Sequence, residues 1–143
     1  MADMPAKPMI RIMADFGNGP WAWGSDGCCI ASVGWGPEEY EISEELKKDF
    51  ADWVTEFERN SDRFCTLEEH LTLCKALGLS EKETARSIEE FKAMPPFDWQ
   101  SFNTRGLTLA KRLYDELGGN VEVVYQKPGE DPDHAAEEPT VIH

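Results

Sequence analysis

The stretch from Ser43 to Asn60, SEELKKDFADWVTEFERN, carries two periodic signals at once, and together they decide how the chain folds. Leu46, Phe50, Trp53, Val54 and Phe57 recur at spacings of three and four residues, which is the apolar stripe of an amphipathic helix. Ser43 supplies an N-cap, and Glu44 and Glu45 put negative charge in the first turn, where the helix dipole favours it. A second line runs through Glu45, Asp49, Asp52 and Glu56, which fall within roughly 60° of one another at 3.6 residues per turn. This acidic column centres about 120° from the apolar stripe, so packing the stripe against a core turns the column toward water. Like charges at these spacings destabilise a helix by about 0.2 to 0.5 kcal/mol per pair. Two readings remain for the column: an interface for a basic partner, or a solvated face tempered by Lys48 and Arg59.

On the N-terminal side, Met1 to Pro8 reads as a loose leader, and Met9 to Phe16 alternates Ile10, Ile12 and Ala14 with Arg11, Met13 and Asp15 as a strand does. Gly17 to Gly27 is punctuated by glycine and proline and reads as a loop pinned by Trp21 and Trp23. Cys28 to Trp35 has the composition of a second short strand, weakened by Gly34 and Gly36. On the C-terminal side, Thr66 with Glu69 and Ser80 with Glu83 have capping-box spacing, so two shorter helices are expected, the first closed by Gly78 and the second by Pro95 and Pro96. A longer helix follows from about Asp98 to Leu117, burying Trp99, Phe102, Leu109 or Leu113, Ala110 and Leu117, with Gly106 as a point of close approach. Val121 to Gln126 is the second strong strand. From Lys127 onward the chain is acidic and proline-rich, and little fixed structure is expected.

These elements predict an α+β or small α/β domain over residues 9–126, with a two- to three-stranded sheet, about four helices, a helical insertion at 62–96 and a disordered acidic tail at 127–143. If the two strong strands are neighbours, the helices between them allow a parallel pairing.

The charge balance narrows the partners. Asp and Glu total 28 against 14 Lys and Arg, a formal charge of -14, and Glu38 to Glu69 alone holds 12 acids and 4 bases. Such a field repels nucleic acid and anionic membranes and speeds encounter with basic proteins. No stretch approaches the roughly 18 apolar residues of a membrane span, and the cysteines, without a secretory leader, are expected to be reduced thiols in a cytoplasm.

The residues that carry chemistry elsewhere do not assemble into a motif here. Cys65, His70 and Cys74, with Cys28 or Cys29, supply soft donors for zinc, but no pair has the CxxC spacing of a structural site. The competing reading places Cys74 in a core with Leu71 and Leu77. A nucleophile needs a base, and two of the three histidines, His134 and His143, lie in the expected tail. Gly17, Gly19, Gly24 and Gly27 are not followed by a helix N-terminus able to cradle phosphate. Neither a catalytic residue nor a cofactor is expected. Five tryptophans in 143 residues are many; Trp53 and Trp99 fall on apolar helical stripes, whereas Trp21, Trp23 and Trp35 in glycine-rich segments are candidates for partner contact or for pinning the loop.

Three stretches together, RIMADFGNGPWAW (Arg11 to Trp23), ISEELKKDFADWVTEFE (Ile42 to Glu58) and FNTRGLTLAKRLYDELGGNVEVVY (Phe102 to Tyr125), resemble a group of small acidic bacterial immunity-type and uncharacterised proteins. The resemblance covers about half the chain and implies a common fold and a toxin-neutralising role; the segment from about Asp62 to Pro96 and the acidic tail depart from it. The expected function is therefore a non-catalytic binding module that meets a basic toxin through Glu45, Asp49, Asp52 and Glu56 with tryptophan anchors at Trp21, Trp23 and Trp35. The alternatives are a metal-binding or enzymatic module built on Cys65, His70 and Cys74, and a regulatory homodimer.

Overall fold

A computed structural model describes residues 7–134 and 138–143, leaving aside the side chain of Asp62; residues 1–6 of the expected leader lie outside the described residues. The strands are β1 (Met9–Ile12), β2 (Pro20–Trp23), β3 (Cys29–Ser32), β4 (Glu122–Tyr125) and β5 (Thr140–Val141). The helices are α1 (Glu44–Arg59), α2 (Leu67–Ala76), α3 (Glu81–Ala93) and α4 (Trp99–Glu116), with a short 3-10 turn at Ser61–Phe64. The chain forms two compact units, one from the described parts of Met1–Glu58 with Trp99–His143 and one from Arg59–Asp98.

The first unit holds a mixed sheet in the order β3-β2-β1-β4-β5. The fold is α+β, as the sequence suggests, but the sheet has five strands where two or three were expected. β1 and β4 are adjacent and parallel, with Ile10 opposite Val123 and Ile12 opposite Tyr125. The expected loop at Gly17 to Gly27 contains β2, which pairs antiparallel with β1 through Arg11 to Trp23 and Ile12 to Ala22. Its pairing partners on β1 lie outside the segment itself, so the glycines that read as loop punctuation mark the ends of a strand. The expected strand Cys28 to Trp35 shortens to β3, because the chain turns after Ser32. Little fixed structure was expected beyond Lys127, yet β5 pairs antiparallel with β4 through Val141 opposite Val124, and Pro128, Asp131 and Ile142 are buried.

α1 forms as its two periodicities dictate. The Ser43 hydroxyl accepts from the Leu46 backbone N–H at 3.2 Å, and Leu46, Phe50, Trp53, Val54 and Phe57 are all buried. Aromatic rings organise the core: Trp21 stacks on Phe50 at 4.3 Å between centroids, and Trp53 stacks on Phe102 at 4.7 Å. The Trp53 indole N–H donates to the Phe102 carbonyl at 3.0 Å, so the one polar group of that buried ring is satisfied. α4 buries both Leu109 and Leu113 together with Phe102 and Ala110, while Trp99 and Leu117 are only half-buried. A Cβ at Gly106 would lie 2.5 Å from the Tyr125 ring and 2.7 Å from Trp53, so the glycine lets α4 sit directly on β4 and α1.

In the second unit both capping boxes form, at Thr66 with Glu69 and at Ser80 with Glu83. Gly78, at φ +70°, closes α2: its N–H bonds the Lys75 carbonyl and the Leu79 N–H bonds the Cys74 carbonyl, the two bonds of a Schellman motif. Cys74 is buried, but Leu71 and Leu77, expected beside it in a core, are exposed.

Candidate functional site

The acidic column divides once its neighbours are placed. Asp49 accepts from the Arg112 guanidinium at 2.7 Å, and Glu56 is bonded to Arg105; both arginines belong to α4. Asp52 meets Lys48 at 3.8 Å along its own helix, and Glu45 acts on Arg112 through space. The hydrogen bond from Asp49, followed by the charges of Asp49, Glu45 and Glu116, raises the Arg112 pKa against the opposing effect of burial. Asp49 and Glu56 thus tie α1 to α4, and the column keeps only part of its charge for a visitor. The local cost of like charges on α1 is offset by cations that sequence periodicity within that helix does not reveal.

The three tryptophans also separate. Trp21 is 1% exposed and stacked on Phe50, so it is a core residue and not a contact surface. Its burial follows from lying within β2 beside α1, which the loop reading missed. Trp23 is half-buried, and its indole N–H donates to the Met13 carbonyl at 3.0 Å, fixing the strand ends of β1 and β2. Trp35 is 52% exposed. It is held there by two backbone hydrogen bonds with Ser32, at 3.0 and 3.1 Å, that close the turn after β3. At Gly36, with φ +56°, a Cβ would run into the Ile30 carbonyl, so the residue after Trp35 is confined to glycine.

Two clefts meet at Trp35. One, of about 320 Å³, lies against α1 and includes Trp21, Glu44, Lys47 and Lys48. The other, of about 150 Å³, includes Ile30, Pro37, Glu38, Glu39 and Tyr40. Lys47 is paired with Glu44 at 2.8 Å and Lys48 with Asp52, whereas Glu38 and Glu39 are exposed and make no ion pair among the described residues. An exposed indole on a held backbone, beside carboxylates without an ion pair among the described residues, suits a cationic side chain, which can lie over the ring and meet the acids at its end. Helix periodicity passes over Glu38 and Glu39 because they precede α1; only the acid count from Glu38 to Glu69 registers them.

The runner-up donor set does not converge. Cys65 is exposed and Cys74 buried, and among the described residues no group of three or more His, Cys, Asp or Glu side chains is placed to hold a metal ion. His70 Nε2 lies 2.9 Å from the Ser87 hydroxyl and its ring stacks on Phe91 at 4.7 Å, while Cys74 Sγ lies 3.7 Å from the same hydroxyl. No residue among those described bonds the other imidazole nitrogen, so the orienting member of a nucleophile–base–carboxylate set is missing from this arrangement. Cys28 and Cys29 belong to the first unit. No helix among the described residues is long and apolar enough to cross a membrane. No family model, curated protein or solved structure matches the chain.

Proposed function

We propose that the chain is a non-catalytic protein-binding module of the immunity type, which neutralises a basic protein toxin through the surface around Trp35. The observation that carries this reading is Trp35 itself: a large ring left 52% exposed on a backbone held by hydrogen bonds, beside Glu38 and Glu39, which make no ion pair among the described residues. Interface energy concentrates in such anchors, since an aromatic side chain, with few rotatable bonds, loses little conformational freedom on binding. The field supports the same reading. The first unit holds 20 Asp and Glu against 8 Lys and Arg, a formal -12, and the second 8 against 6, a formal -2. Long-range attraction of a cationic partner is therefore directed at the unit that bears Trp35.

Co-expression with the product of the neighbouring gene tests the proposal. The native chain should protect the cell from a basic, growth-inhibiting partner and co-purify with it. The Trp35→Ala, Glu38→Lys, Glu39→Lys triple variant, with its circular dichroism unchanged, should lose both properties. Full protection by the folded triple variant would sink the assignment of this surface.

A further inference from the structure

At the carboxyl end of β4, away from Trp35, a cleft of about 390 Å³ opens between the first half of α4 and the chain that follows Tyr125. Its volume is that of a small-ligand site. Trp99 and Leu107 give it apolar walls, and Asn103, Tyr125 and Asp131 line its polar side. Those three side chains are buried and form one hydrogen-bonded chain: the Tyr125 hydroxyl donates to Asn103 Oδ1, and Asn103 Nδ2 donates to Asp131 Oδ2 at 2.7 Å. The Asp133 backbone N–H donates to the other Asp131 oxygen at 2.9 Å.

Every donor to the Asp131 carboxylate among the described residues is neutral. A carboxylate only 3% exposed has been taken out of water and given no cationic partner among the described residues. Burying a charge in this way is costly unless an opposite charge meets it. Among the described residues lining the cleft Lys127 is the one cation, and its ammonium is 4.0 Å from Asp133, a second carboxylate there; Glu138 is a third. Three carboxylates thus line, with one lysine, a cleft that has an indole wall. The site lies just beyond the end of a parallel strand, where open sheets with parallel strands place their ligands.

We propose that this cleft binds an alkylguanidinium or alkylammonium group, its carbon stem against Leu107 and Trp99 and its cationic head on Asp131. The group arrives either on a free small amine or on an arginine or lysine of a protein partner. Agmatine and the peptide Gly-Gly-Arg-Gly-Gly are the probes that separate these sources, with the uncharged n-butylurea as control.

Titration of the full chain at physiological salt, followed by amide NMR shifts, should show saturable changes confined to Asn103, Thr104, Leu107 and Asp133 for at least one cationic probe and none for n-butylurea. Agmatine binding at least tenfold more tightly assigns a free amine; the reverse assigns a partner's side chain. Asp131→Asn should weaken binding at least tenfold. Leu107→Trp, which narrows the cleft from its apolar wall and leaves the buried hydrogen-bonded residues unchanged, should abolish it if Asp131→Asn fails to fold. Shifts scattered over the acidic surface, equal binding by folded variants, or no saturable binding by either probe would overturn the proposal.

Discussion

Gly106 shows most directly how one residue sets the packing distance of a layer. The 2.5 Å and 2.7 Å approaches that a Cβ would make to Tyr125 and Trp53 leave no room for a methyl group, and both neighbours are buried rings that cannot swing aside. Overpacking of this kind costs about 1–3 kcal/mol, so Gly106→Ala should lower the unfolding free energy by that amount, read from a lower urea midpoint, in spite of alanine's better helix propensity. Tyr125 yields a second prediction. Burial, reinforced by the charge of Asp131, raises its phenol pKa far above the ordinary value. An unfolded chain releases this proton near pH 10 while the folded chain keeps it, so the group's contribution to stability is complete below about pH 10 and is lost as pH rises beyond it. Tyr125→Phe should therefore be less stable at pH 7 by about 0.5–1.5 kcal/mol, for the lost hydrogen bond to Asn103, yet lose stability less steeply between pH 10 and 11. Equal slopes in chemical denaturation across that range would contradict the assignment.

Between elements, the pair of contacts from α1 to α4 changes the meaning of the acidic column. A double-mutant cycle on Asp49 and Arg112 should give a coupling of about 0.2–1 kcal/mol, the range for a pair exposed by more than a third, and it should shrink as salt is added. A coupling indistinguishable from zero at low salt would remove the clamp from the account. The helices were legible because their signals are local: Ser43, Thr66, Ser80 and Gly78 act within a turn, and the α1 stripe needs only its own spacing. The ion pairs were not, since Arg105 and Arg112 stand about fifty and sixty residues from their partners. β2 and β5 likewise depend on residues outside their own segments. Pro20–Trp23 lies among glycines and Thr140–Val141 follows an acidic, proline-rich run, and each becomes a strand through the backbone of β1 or β4 beside it. Of the candidate site, Trp35 was readable as a tryptophan in a glycine-rich turn. Its exposure, and the burial of Trp21, depend on which of the two falls within a strand.

For the molecule as a whole, charge is unevenly shared, with nearly all of the net -14 on the unit that carries the sheet and Trp35. Such a field acts on encounter, and an aromatic anchor acts on release. Charge reversal at Glu38 and Glu39 should therefore slow association and flatten its salt dependence, while leaving the dissociation rate within a few-fold. Asp49→Lys should act mainly through stability, because Asp49 is engaged by Arg112. The central claim rests on Trp35, and the dissociation rate of the complex with the co-purifying basic partner tests it most directly. For Trp35→Ala the account predicts a dissociation rate at least tenfold faster with association nearly unchanged; a complex that dissociates at the native rate would contradict it.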